Sequence, residues 1–185
     1  MDKYQIDKII ETGKVRMIEK FNNLGSVTLQ KELHLQKNEI KPENIETIFE
    51  KKWKNVIYIF SAEKLPKICE NVEEIENKFK SIKGDKNHLT RINKKHWVKT
   101  NQNERNYLYV GSCEGDPHKR MKQHLFDHSN TTYALHLIDW WPTDSEINID
   151  VFVFGDSLSP VENLQMIEDL IWDDCKPLFG RKGHK

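Results

Sequence analysis

Two helical segments carry side chains whose types and spacing suit phosphate chemistry. In SPVENLQMIEDLIWDDCKP, residues 159 to 177, Val161, Leu164, Ile171, Trp172 and Cys175 fall around one face at about 100° per residue. Glu168 stands in the middle of that face, whereas Glu162, Asp169 and Asp173 project elsewhere. A carboxylate among core-facing residues is costly unless it is paired or binds a metal, which singles it out from 29 acidic residues. A structural salt bridge or a boundary position reaching solvent would also satisfy it. In DPHKRMKQHL, Arg120 and His124 are four residues apart and share a face, with His128 drifting along the same side. Arg offers a planar fork of donors and His can donate or transfer a proton near neutral pH, so the pair could hold a phosphate. A solvated helix face is the plain alternative.

A third feature is local charge. From Lys78 to Lys99 the chain carries Lys78, Lys80, Lys83, Lys86, Arg91, Lys94, Lys95 and Lys99 against the single acid Asp85, with His88, His96 and Trp97 interspersed. Such a block is expected where a phosphate backbone is followed, although a lysine-rich loop can serve solubility alone. Arg181 and Lys182 in the C-terminal GRKGHK add a second basic strip.

The elements that must position these residues are legible as short runs. NVIYIF (55–60), NYLYVG (106–111) and INIDVFVFG (147–155) have strand length and β-branched or aromatic content. In the last, Ile149, Val151 and Val153 alternate with Asn148, Asp150, Phe152 and Phe154. Asp116-Pro117 supplies an N-cap with proline at the first helical position, predicting a helix from Pro117 to about Asp127. Ser159 and Glu162 form a capping box around Pro160, and Pro177 marks the end of that helix. Residues 1 to 52 mix charged and apolar positions at helical spacing, with Ile6, Ile9, Ile10, Ile45, Ile48 and Phe49 as candidate buried positions and a turn at Asn22-Asn23-Leu24-Gly25. The expectation is an α+β fold with three strands and about five helices: a helical extension over 1–52, then a domain over 53–185 with a basic insertion at about 61–105.

Composition bounds what such a chain can do. Its 185 residues and 37% hydrophobic content support one core, and 29 basic residues balance 29 acidic ones. Net charge therefore announces neither a nucleic-acid nor a membrane partner, and any basic patch must be local. No apolar stretch approaches the roughly 18 residues of a membrane span, and MDKYQIDKII lacks a signal-peptide core, so a cytoplasmic location is expected. Cys69, Cys113 and Cys175 form no CxxC pair and are expected to be free thiols.

Taken in order, these residues resemble the GIY-YIG nuclease superfamily over roughly residues 55 to 180. Val56-Ile57-Tyr58 stands at the first motif and Tyr109-Val110-Gly111 at the second. The family's helical arginine falls on Arg120 in KRMKQHL, with His124 one turn later, and its metal-binding glutamate on Glu168 in MIEDLIW. Val56 replaces the first motif's glycine, Ser112 stands where a lysine is frequent, and Leu178-Phe179-Gly180 replaces an asparagine. The long connection between the motifs is similar to that of restriction-enzyme members.

The resemblance implies a small three-stranded antiparallel sheet flanked by helices, and phosphodiester hydrolysis dependent on Mg²⁺ or Mn²⁺ held by Glu168. Tyr58 would be the general base. An ordinary tyrosine titrates near 10, so the site would have to lower that value with nearby cations or a hydrogen bond from Tyr109. Arg120 would bind the pentacovalent phosphate, and His124 would assist in phosphate binding or proton transfer. The implied substrate is double-stranded DNA, and a DNA methyltransferase encoded nearby is the expected companion of a restriction enzyme. The first 50 residues would be a target-reading or dimerising arm. The alternative is a catalytically silent nucleic-acid-binding module of the same fold.

Overall fold

The computed structural model describes residues 29–36, 39–62, 72–84, 107–127, 132–141, 147–158 and 161–183, with the single positions Thr12, Val15, Glu19 and Asn22. The central strand explains the architecture. In β2 (Val56–Ser61), Val56, Tyr58 and Phe60 face the main core while Ile57 and Ile59 face the opposite side, and all five are buried. A strand covered on both faces reads as a continuous apolar run, as VIYIF does. β3 (Tyr107–Cys113) and β4 (Asn148–Val153) flank it, both antiparallel. In register, Tyr58 stands opposite Gly111 on one side and Val151 on the other.

The sheet has four strands rather than three. β1 (Lys31–Gln36) adds to the outer edge of β4, giving the order β1-β4-β2-β3. The segment expected to be wholly helical thus contributes a strand to the same sheet. Leu33 and Leu35 pack against the core, while Glu32 and His34 stay exposed and His34 Nδ1 meets Asp150 Oδ1 across the ladder at 2.7 Å. Period-two alternation with only two apolar residues is a weak strand signal. Short α1 (Ile45–Ile48) follows, and Ile45 and Phe49 are fully buried as expected. Ile6, Ile9, Ile10 and the turn at 23–25 lie outside the described residues.

Helices close both faces. α2 (Val72–Gly84) brings Phe79 against Trp140 and Phe179. α3 (Pro117–Leu125) starts where expected: Asp116 Oδ1 accepts the Lys119 amide at 3.1 Å, and Pro117 occupies the first turn. α4 (Leu137–Trp140) completes the main core. α5 (Val161–Cys175) covers the other face, with Leu164 on Ile57 and Cys175 near Ile59 and Val110. It ends at Lys176, whose φ of 46° is left-handed, one residue before Pro177. Ser159 and Pro160 lie outside the described residues. Cys113 and Cys175 are free thiols. No helix among the described residues is long and apolar enough to cross a membrane.

Candidate active site

Strand alternation places Tyr58 and Tyr109 on one face of adjacent strands, their rings stacked with centroids 6.2 Å apart. The residue beneath them has to be glycine. A Cβ at Gly111 would lie 2.6 Å from Tyr109 Cε1 and 2.9 Å from both Tyr58 Cε2 and the Tyr58 hydroxyl. Tyr109 is flanked again by Gly180, whose φ of +105° suits glycine and whose Cβ would approach Tyr109 Cε2 to 3.1 Å. That residue is carried along β3 by amides of Leu178 and Phe179, which donate to Tyr107 and Leu108 carbonyls at 3.0 and 2.8 Å.

α3 delivers Arg120 and His124 to the same tyrosines. Arg120 Nε donates to the Tyr58 hydroxyl at 2.9 Å, Nη2 to the Tyr109 hydroxyl at 3.4 Å and Nη1 to Gln123 Oε1 at 3.2 Å. Thr132 Oγ1 donates to the same Gln123 oxygen at 2.8 Å. Of the five guanidinium N–H groups, these bonds leave one on each terminal nitrogen. Burial works against the guanidinium charge, but the facing Tyr58 and Tyr109 hydroxyls outweigh it and hold Arg120 above its ordinary range.

His124 is no part of a solvated helix face. It is fully buried, ringed by Tyr58, Phe60 and Tyr109 at centroid distances of 5.4, 5.4 and 4.9 Å. The Leu135 amide donates to Nδ1 at 3.2 Å, so in the neutral ring the proton sits on Nε2, which faces the Tyr58 hydroxyl at 3.3 Å. Burial drives the imidazole well below its usual value, and Arg120 and His136 push the same way. His124 is therefore a neutral donor to Tyr58. His128 lies outside the described residues.

The Tyr58 oxygen receives N–H groups from Arg120 and His124, and its own proton points toward the Ser112 carbonyl at 3.5 Å. The expected lowering of its pKa does not occur. Tyr58 has no exposed surface, and burial raises the phenol well above its ordinary value, with Arg120 pulling it down only in part. Nor does Tyr109 supply the anticipated hydrogen bond: the two rings stack, and the link between their hydroxyls runs through Arg120. Burial raises Tyr109 too, and the negative charge of Glu168 adds to it.

Glu168 reaches the cluster from α5. Half-buried, it accepts from Ser112 Oγ at 2.5 Å through Oε2, and Ser112 in turn offers its carbonyl to Tyr58. The five residues singled out by spacing, Tyr58, Tyr109, Arg120, His124 and Glu168, thus meet at one place, with Ser112 linking Glu168 to Tyr58. Among the described residues no group of three or more His, Cys, Asp or Glu gathers to hold a metal ion. One partly exposed carboxylate beside a hydroxyl nevertheless fits Mg²⁺, which keeps most of its waters and takes one or two carboxylates plus substrate phosphate. Such a site would not fit zinc, which needs three or four protein ligands.

The basic residues divide. Lys78 is half-buried and Lys80 exposed on α2; Lys86, Arg91, Lys94, Lys95 and Lys99 lie outside the described residues, and Lys83 is described only in its backbone. Arg181 is exposed, but Lys182 is ion-paired with Asp173 of α5, and the Gly183 amide donates to Asp169 at 2.9 Å. Part of the C-terminal basic strip is therefore answered by acids of α5. Ser112, Gln123 and Gly180 are site residues that spacing did not suggest; Ser112 and Gly180 work through contacts distant in sequence, whereas Gln123 holds Arg120 from within α3.

Comparison of the chain with protein-family profiles, with curated proteins and with solved structures finds no match.

Proposed function

We propose that this chain is a Mg²⁺- or Mn²⁺-dependent endonuclease that hydrolyses DNA phosphodiester bonds, of restriction type. The observation that carries the reading is the convergence of Tyr58, Tyr109, Arg120, His124 and Glu168 from four separate elements onto one hydrogen-bonded cluster. A fold needs no such meeting of a half-buried guanidinium, two buried phenols and a neutral imidazole to be stable, since buried polar networks seldom outperform apolar packing.

In this reading Arg120 turns its two remaining terminal N–H groups to the scissile phosphate, a two-pronged contact that a lysine cannot reproduce. Glu168 holds the divalent ion, which when bound supplies charge neutralisation at the phosphate and the departing 3′ oxygen. Tyr58, as its phenolate, takes the proton of the attacking water and becomes the neutral phenol; the Arg120 and His124 N–H groups aimed at its oxygen stabilise the phenolate before that transfer. His124 acts on the phenol and does not touch the phosphate. Tyr109 steadies Arg120 from the far side.

The raised Tyr58 value has a measurable consequence. A base must be deprotonated to act, so below its pKa the fraction available grows tenfold per pH unit. Single-turnover cleavage at saturating DNA and Mg²⁺ should therefore keep climbing from pH 7 past pH 9. A plateau by pH 8 removes Tyr58 as the base.

The reading as a whole is tested on supercoiled and linear duplex DNA with Mg²⁺ or Mn²⁺. Metal-dependent cleavage by the wild type that is lost in both Arg120→Lys and Glu168→Gln is expected. DNA binding without cleavage by the wild type under all metal conditions would instead assign the silent binding module. A methyltransferase gene beside the coding sequence is expected for a restriction enzyme, and size measurement with and without DNA tests whether the chain forms a homodimer.

A further inference from the structure

The cluster contains one residue whose placement is not explained by stability alone. Ser112 is in β3 opposite Ile57, on the strand face that Val110 also occupies and that α5 covers. Its hydroxyl donates to Glu168 Oε2 at 2.5 Å, and its main-chain carbonyl is the acceptor facing the Tyr58 hydroxyl. A glutamate on a half-exposed helix face ordinarily samples several side-chain rotamers. Here a hydroxyl fixed on a strand takes one of its two oxygens.

Resting on the nuclease reading above, we infer that Ser112 is a positioning residue for the metal-binding carboxylate: its hydroxyl locks Glu168 in the orientation that receives the divalent cation. Three features of the chain favour serine for this task. The strand backbone at Ser112 is anchored to β2, so the donor does not move with the helix that carries the acceptor. The hydroxyl is one carbon from the backbone, so little rotamer freedom is spent in holding it. A neutral donor also adds no positive charge beside Glu168, whereas an ammonium group at this position would compete with the cation. Groups that orient a ligating carboxylate typically change metal affinity or activity by about 10- to 100-fold when removed.

The test is metal binding by the full chain, read from the loss of free Mn²⁺ signal in electron paramagnetic resonance, together with the Mg²⁺ concentration that half-saturates DNA cleavage. Ser112→Ala should weaken Mn²⁺ binding about 10- to 100-fold and raise the Mg²⁺ half-saturation by a similar factor. The cleavage rate at saturating Mg²⁺ should change far less. Ser112→Thr, which keeps the hydroxyl and suits a strand, should restore both values. If Ser112→Ala does not fold, Ser112→Cys, a weak donor of similar size, carries the same expectation. Lower stability with unchanged Mn²⁺ affinity and Mg²⁺ half-saturation would overturn the inference while leaving the nuclease reading standing. A wild-type chain that neither binds Mn²⁺ nor cleaves DNA would overturn both.

Discussion

The two sides of the site are built on opposite principles. On the side of β2, β3 and α3, Tyr58, Tyr109 and His124 are buried; Arg120 ties the two phenols together, and His124 meets Tyr58 directly. On the side of α5, Glu168 is half-buried and accepts from a strand hydroxyl, on a helix where Asp173 and Asp174 are exposed. The first side is buried except at Arg120; the second is half-exposed. The contrast teaches that chemistry and stability are entangled on the buried side and separable on the open one.

The largest expected effect belongs to the open side. Glu168→Gln keeps an oxygen for Ser112 but removes the charge proposed to hold the metal. Cleavage should fall by about 10³-fold or more, whereas stability to denaturant should change by about 0.5 kcal/mol or less. A large stability loss would erase the contrast.

Arg120→Lys tests the buried side, where one ammonium must replace bonds to Tyr58, Tyr109 and Gln123. Loss of about 2–4 kcal/mol of stability should accompany the loss of cleavage, because buried acceptors are left without donors. Normal stability in this variant would show that the network is ornamental to the fold.

Gly111→Ala probes how tightly the two tyrosines seat. Its methyl group would enter the space of both rings, and a cost of about 1–3 kcal/mol is expected. Gly115→Ala, whose Cβ would meet nothing within 4 Å, is the matched control and should change stability little. Equal effects at the two positions would mean that the rings shift aside freely.

The smallest effect is acid sensitivity. The folded-state pKa of His124 is depressed, so the unfolded chain binds this proton more strongly, and stability falls as pH drops through the unfolded value near 6.5. From pH 6.5 to 5.5 this one group should remove about 1 kcal/mol. Denaturant titrations of wild type and His124→Gln at the two pH values measure it. An identical pH response would show that the imidazole is not held neutral.

How far the sequence carried this picture depended on whether a signal was local. β2, β3 and β4 were legible because each is a dense apolar or alternating run, and α3 because Asp116-Pro117 marks its start. β1 was not, since its partner begins at Asn148 and only Leu33 and Leu35 turn toward the core. Helical spacing brought out Arg120, His124 and Glu168, yet it carries no information on depth. It could not reveal that His124 is caged by three rings or that burial raises Tyr58. Ser112 escaped notice because a small polar residue acquires meaning only from its partner, here Glu168 on another element.

The strand order has a consequence for how the chain is made. β4 lies between β1 and β2, both of which precede it by many residues. On a ribosome β1 can find no neighbour in its sheet until the chain has grown from residue 36 to residue 153. At about 5–20 residues per second that is a wait on the order of ten seconds. β2 and β3 can pair earlier, so the nascent protein carries a two-stranded ribbon with the inner edge of β2 exposed, while the tyrosines and Arg120 can already meet. Glu168 is synthesised last of the five. Under the nuclease reading, the carboxylate proposed to hold the metal would join the cluster only after its other four members, so the site would be incomplete until synthesis nears its end.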